Sequence, residues 1–291
     1  MLTPEQIQER VKTIIQLPAL PALALEVVEM VDNPKTSAQQ LGRLISADSA
    51  LTGKVLKIAN SPFYGFPKKI STVDFAIIVL GFDALKEIVI SIALVSTLQR
   101  KTDTYFNTQL FWDHSIATGV IARRLARDIG YRVTGEVFVA GLLHDMGISV
   151  LNKYFSSEFH RIIEIVRESN LTFHDAEESV LGVSHSEIGG WLGERWNLPD
   201  HLVEAIKFHH QPAKAVINPQ LVAIINCADV FANQINTEEL EYDKGATFDD
   251  AALDVLNLHD ENLLQEYKNQ YSETIQNDLK ETSILSHLAA M

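Results

Sequence analysis

The sequence predicts an all-α fold in two lobes, and three observations predict it. Apolar residues return at the 3.6-residue spacing of helices along almost the whole chain. Capping signatures open several of those stretches. No pair of alternating segments reads as two strands, and no internal repeat is evident. At 291 residues the chain exceeds what one small core usually fills, which argues for two lobes.

The elements follow in order. Thr3-Pro4-Glu5-Gln6 sets a capping threonine, a proline at the first helical position and a glutamine at the third. Short amphipathic helices are expected over 21–32, 36–46 and 48–60, punctuated by Asn33-Pro34 and Ser46-Ala47-Asp48. Asn60 to Pro67 reads as a loop, because two prolines and a glycine so close together defeat regular structure. Ser71 with Asp74 resembles a capping box, opening an apolar helix that pauses at Gly81. From Leu85 the apolar positions 85, 88, 89, 92, 95 and 98 keep the rhythm of a buried helix face. Polar Arg100 to Asn107 marks the lobe boundary.

Helices are then expected near 109–129, 134–152, 156–169, 175–181, 184–196, 199–210 and 218–236. Ser184 with Glu187 forms another capping box, and Pro199 starts the helix that ends in His209-His210. After a turn at Gly245 to Asp250, helices near 249–256 and 259–288 close the chain. The expected organisation is an N-terminal helical lobe over 1–100, a second lobe over 101–236, and an acidic helical extension over 237–291.

Composition narrows the function classes. A chain that is 46% hydrophobic and 21% charged is ordinary for a globular protein. No apolar stretch reaches the roughly 18 residues of a spanning helix, and the N-terminus lacks the features of a signal peptide. A single cysteine, Cys227, excludes an internal disulfide and fits a small buried hydrophobe in a reducing cytoplasm. Of the net charge of −14, residues 237–291 hold −10. That balance repels phosphate backbones, so neither nucleic acid nor membrane is an expected partner. The acidic end itself reads as solvated helix faces.

The chemistry lies in a scattered set of histidines and aspartates: His114, His144-Asp145, His185, His209-His210 and Asp229. Imidazole and carboxylate donors together suit a divalent transition metal, one or two ions of iron, manganese, zinc or nickel. His144-Asp145 sits among Leu142, Leu143 and Met146, where a buried aspartate needs a partner or a metal. On a single helix the two side chains would diverge by about 100° and still reach one ion. His209-His210 ends a helix, where one histidinium would suit the macrodipole, but a structural role needs only one of the pair. His185, near a helix start, is badly placed for a charged ring, which fits a neutral ligand without requiring one. Asp229 lies on an apolar helix and needs a partner of its own. Taken singly, His114 reads more readily as a core or surface residue than as a ligand. His160, His174, His201, His259 and His287 fit no pattern.

The order His114, His144-Asp145, Asp229 resembles the ligand set of the HD phosphohydrolase superfamily. The additional His185, His209 and His210 resemble the bimetal set of its HD-GYP branch, which hydrolyses cyclic di-GMP. Leu17-Pro18-Ala19-Leu20-Pro21, the Asn60-Ser61-Pro62-Phe63-Tyr64-Gly65 loop and Ile70-Ser71-Thr72-Val73 to Leu80-Gly81 are similar to the HDOD family. That resemblance covers roughly residues 10–235. It implies a helical module of bacterial signalling proteins, most of which have no demonstrated catalysis.

The chain departs from the HD-GYP pattern at three places. Ile148 stands where that branch has a lysine, Leu110 where it has a metal-binding glutamate, and Gln211-Pro212 follows the histidine pair with no Gly-Tyr-Pro segment. Cyclic di-GMP hydrolysis is therefore not expected.

Three readings stay open. One is a non-catalytic signalling scaffold that keeps a metal pocket and acts on a signalling protein in trans. Another is a metal-dependent phosphohydrolase on a different phosphate ester, with Asp145 bridging two ions and Arg123 or Arg124 on the substrate phosphate. The third is a helical interaction protein whose histidines are structural.

Overall fold

The computed structural model describes residues 22–60, 68–98, 104–131, 134–169, 171–235, 240–243 and 246–273, with positions 6, 7, 9, 66 and 275. Those residues are helix, turn or irregular, with no strand among them. The expectations for Thr3 to Glu5, Leu17 to Pro21, Ser61 to Gly65, His287 and the last helix beyond 275 lie outside the described residues. The chain divides into two compact units, Pro18–Gln99 forming most of one and Arg100–Thr274 most of the other. None of the described helices is long and apolar enough to cross a membrane.

The first unit contains α1 (Ala22–Asp32), α2 (Ala38–Ser46), α3 (Ser49–Ala59), α4 (Val73–Leu80) and α5 (Phe82–Leu98). Local chemistry sets the starts. Ser37 and Gln40 form a capping box on α2, and Asp48 accepts from Leu51 N to open α3. The cap of α4 is Thr72, whose side chain accepts from Phe75 N, rather than Ser71. Thr72 is extended, which suits an N-cap, and it lies the three residues before Phe75 that this bond requires. Asn60 closes the loop that follows α3, donating to Ile70 O and accepting from Ile70 N, both at 2.7 Å. Leu41, Ile45, Val55, Ala59, Ile70, Ala76 and Leu85 are fully buried or nearly so in this unit.

The second unit holds α6 (Thr108–Asp128), α7 (Thr134–Leu143), α8 (Met146–Tyr154), α9 (Ser156–Glu168), α10 (Phe173–Leu181), α11 (His185–Arg195), α12 (Asp200–Phe208), α13 (Pro219–Ile235) and α14 (Asp250–Leu256). Residues 261–273 are also helical. Buried α6 and α13 run through the core, with α7 packed on both. Where α6 and α7 cross, a Cβ on Gly141 would come within 2.6 Å of Gly119 Cα, so only glycine permits this approach. Beyond 236, Tyr242 packs on Phe106, Phe111 and Phe173, and Phe248 and Tyr271 pack on Phe231. These rings join residues 240–271 to the core of the unit.

The sequence predicts one helix over 134–152, and the structure breaks it at His144-Asp145, between α7 and α8. The reason is tertiary. Gly147 lies so close to the His185 carbonyl and Gly189 N of α11 that a Cβ there would collide with both. Docking α8 at that distance turns the chain at His144 and Asp145.

Candidate metal centre

Each site residue is delivered by a helix end or a buried helix face. His114 projects from α6, capped by Asn107, whose side chain accepts from Gln109 N and Leu110 N. His144 and Asp145 occupy the break. Asp145 stands at the N-cap of α8 without making a side-chain cap bond, which leaves its carboxylate for the site. His185 is the first residue of α11, behind the capping box of Ser184 and Glu187. His209 is the C-cap of α12, one residue short of the expected helix end, and His210 follows in the turn. Asp229 lies on α13, one turn after Asn226, which donates to His209 O at 2.9 Å.

These seven residues come together as two adjoining groups, Asp145–His185–His209–His210 and His114–His144–Asp229. Within each group the possible ligand atoms lie within 4.8 Å of one another. Asp145 faces both. Its Oδ2 is 3.3 Å from His144 Nε2, while its Oδ1 is 3.3 Å from His185 Nε2 and 3.5 Å from His209 Nε2. Asp229 Oδ1 lies 3.0 Å from His114 Nε2 and 3.5 Å from His144 Nε2. His210 Nε2 reaches 3.2 Å from His185 Nε2.

The outer ring nitrogens explain why these Nε2 atoms face inward. His144 Nδ1 lies 2.6 Å from Gly141 O and His209 Nδ1 lies 2.7 Å from Ile206 O. A carbonyl can only accept, so each Nδ1 keeps a proton and Nε2 is the atom that would be free for a metal. Glu177, fully buried on α10, does the same for His185, accepting from Nδ1 and from the backbone N at 2.9 Å each. Nothing in the reading of the sequence singled out Glu177. Its signal is positional, since it lies on the buried stripe of Phe173, Ala176, Val180 and Leu181.

The electrostatics fit a cation. Burial favours neutral His144, but Asp145 and then Asp229 outweigh it and hold its pKa well above the usual imidazole range. Burial also opposes the charge on His185, but Glu177 and Asp145 push its pKa up to about 10. Burial would raise Asp145 and Asp229, yet His144 holds the first low, and His114 and His144 the second. Burial lowers His209 and His210, and in His210 the neighbouring His209 and His185 add to it. Without a metal, positive charge is therefore favoured on His144 and His185, each beside a carboxylate.

A divalent cation would take the place of those protons. His144 Nε2, His209 Nε2, Asp145 Oδ2 and Asp229 Oδ1 are buried and make no hydrogen bond, although such atoms are nearly always satisfied. Their orphaned lone pairs converge, as ligands for a metal do.

A cleft of about 440 Å³ opens onto the centre at His185, His210 and Asp229. Its other walls include Phe173, His174, Asn226, Tyr242, Phe248, Asp249 and Asp250, with no lysine or arginine among the described residues. Arg123 and Arg124 are not brought here. They follow His114 on α6 by nine and ten residues, roughly 14 Å along the axis, and Arg124 lies instead beside Tyr271. Among the other described histidines, His174 lines the cleft and three lie outside the two groups. His160 stacks on Tyr105 at 4.0 Å, His201 pairs with Glu136 at 2.9 Å, and His259 pairs with Asp254 at 2.7 Å.

Fold and site together define a helical protein with a buried histidine–aspartate centre of metal-binding type. The HDOD domain model matches residues 17–212, and the chain belongs to the HDOD family. An uncharacterised protein of Treponema pallidum is 30% identical over 198 residues, covering 68% of this chain. The chain spans only 38% of that relative's length.

Among solved structures, an HDOD protein of unknown function from Geobacter sulfurreducens is similar with a TM-score of 0.72 and 26% identity, covering 98% of this chain and 97% of its own. A candidate phosphohydrolase from Shewanella amazonensis matches with a TM-score of 0.71 and 22% identity over 97% of both chains. A candidate signal-transduction protein from Marinobacter aquaeolei matches with a TM-score of 0.75 and 23% identity, over 96% of this chain and 61% of that one.

Proposed function

We propose that this chain is a cytoplasmic bacterial signalling module that retains an HD-type centre for one or two divalent ions, without strong catalytic activity. The observation that carries this reading is the pairing of a buried donor set with a cleft that has no lysine or arginine among its described residues. Four donor atoms are orphaned, Asp145 Oδ2 among them, and the two oxygens of Asp145 face different groups, which would suit it to bridge two ions. The cleft beside them presents Asp249 and Asp250 and, among the described residues, no lysine or arginine to neutralise a phosphate ester. Leu110 and Ile148 add no ligand and no charge. Iron, manganese, zinc or nickel would suit the mixed donors, and a signalling protein acting in trans through the N-terminal lobe is the expected partner.

A second reading keeps its place because the cleft reaches the centre. In a metal-dependent phosphohydrolase, the bound ions would lower the pKa of a water and stabilise charge on phosphoryl oxygens. Asp145 would hold one oxygen towards each ion, His144 and Asp229 would complete one group, and His185, His209 and His210 the other.

Elemental analysis of protein purified without chelator, joined to a turnover screen, tests both. The module reading expects about one to two equivalents of transition metal. It also expects no hydrolysis of nucleotides, cyclic dinucleotides or aryl phosphates above the level of Asp145→Ala. Protein free of transition metal after purification and reloading sinks it. Turnover that Asp145→Ala abolishes replaces it with the hydrolase.

A further inference from the structure

We infer that Glu177 is a positioning residue that divides the centre into two unequal halves, so that the Asp145–His185–His209–His210 group alone depends on it to hold an ion. The inference rests on the proposed metal centre and concerns how that centre is built.

The difference lies in what stands behind His185. His144 is backed by the Gly141 carbonyl and His209 by that of Ile206. Behind His185 stands a carboxylate, fully buried, with one oxygen on the backbone N and the other on Nδ1, each at 2.9 Å. A carboxylate fixes the ring's orientation and tautomer, and it makes Nε2 a stronger donor than a carbonyl does. That Nε2 lies 3.3 Å from Asp145 Oδ1 and 3.2 Å from His210 Nε2, so the ring is the hinge on which this half converges.

The backbone bond alone could serve only to start α11. That helix already has its capping box from Ser184 and Glu187, however, so the start does not require Glu177. The bond to Nδ1 has no such structural alternative. Glutamine has the shape of glutamate but a single acceptor oxygen, and its amide would point N–H at N–H for one of the two donors. Glu177→Gln therefore breaks one of two bonds and removes the charge while leaving the volume unchanged.

The test titrates metal-free full-length protein with Co²⁺ and follows its visible absorption. Wild type is expected to show two bound equivalents. In Glu177→Gln one equivalent should keep its spectrum and affinity, and the other should weaken by roughly 10- to 100-fold with an altered spectrum. Glu177→Asp, which restores the charge, should recover part of that loss. Two equivalents bound as in wild type by Glu177→Gln, or both weakened equally, overturn the inference.

NMR of ¹⁵N-histidine-labelled wild type without metal supplies a readout that needs neither a folded variant nor a metal. It should show a protonated, strongly hydrogen-bonded Nδ1 on His185, and its absence also overturns the inference. If wild type binds no Co²⁺ while that Nδ1 signal is present, the metal centre has failed and the orienting bond has not.

Discussion

The two units bury different things. Among the described residues of 22–98, Ser91 is the buried polar side chain. Those of 104–273 bury His114, His144, Asp145, Glu177, His185, His209 and Asp229 together, and Glu204 apart from them. Burying a charged or titratable group is unfavourable unless it is paired or bound to a metal. The second unit concentrates that unfavourable term around one point, while the first follows the ordinary partition of apolar in and polar out. The contrast locates function in the second unit without reference to any relative.

The largest expected break in the contrast is steric. In Gly147→Ala the new methyl meets the His185 carbonyl and Gly189 N, which are backbone atoms and cannot swing away. The variant should lose about 3 kcal/mol, the upper end for overpacking, and most of its bound metal with it. Urea unfolding and elemental analysis check both. Near-wild-type values would mean that α8 and α11 are not as close as the structure places them.

Metal removal comes next. A ligand that binds only the folded state stabilises it by about 2.7 kcal/mol when present at a hundred times its Kd. Stripping the protein with a chelator should lower stability by an amount of that order, and added metal should restore it. A melting curve that chelator leaves unchanged would show the buried set to be self-sufficient.

Glu204 sharpens the contrast, because it is a buried carboxylate with a purely structural task. It accepts from Val216 N, Ile217 N and Asn218 N at 2.7 to 3.0 Å, holding the loop before α13. Glu204→Ala strands those amides and should lose about 2 kcal/mol, while the number of ions bound at saturating metal stays that of wild type. Loss of metal in this variant would tie the loop to the centre.

Much of this contrast is legible in the amino-acid order. Ser184 with Glu187 announces the start of α11 and so the placement of His185, because a capping box is a local interaction. The seven donors are recognisable by residue type on apolar, helix-patterned segments, and the structure brings those seven together. What stays hidden is decided by contacts distant in sequence. The break at His144-Asp145 depends on Gly147 meeting α11, which no pattern within 134–152 records. Glu177 and Glu178 look alike in sequence, and only the stripe running through Phe173, Ala176 and Val180 distinguishes the one that turns inward. Arg123 and Arg124 lie nine and ten residues beyond His114 on α6, a separation of roughly 14 Å that follows from the residue order once the helix is recognised.

The smallest expected effect lies in the first unit, and it tests whether that unit's plain partition is complete. Ile78 on α4 is 74% exposed, with Phe75 one turn earlier at 38%. Replacing Ile78 by lysine removes little buried apolar surface and exchanges a β-branched residue for a better helix former. Such surface changes usually fall within about 0.5 kcal/mol, so Ile78→Lys should leave urea unfolding and Co²⁺ titration as in wild type. The magnitude separates two situations. A side chain that meets only water gains slightly from the charge, whereas one covered in solution loses the transfer energy of its buried surface, about 1.5–3 kcal/mol if covering is full. A loss above about 1 kcal/mol that grows with protein concentration would therefore mean that another copy covers this face. The first unit would then have a buried apolar interface of its own to set against the polar centre of the second.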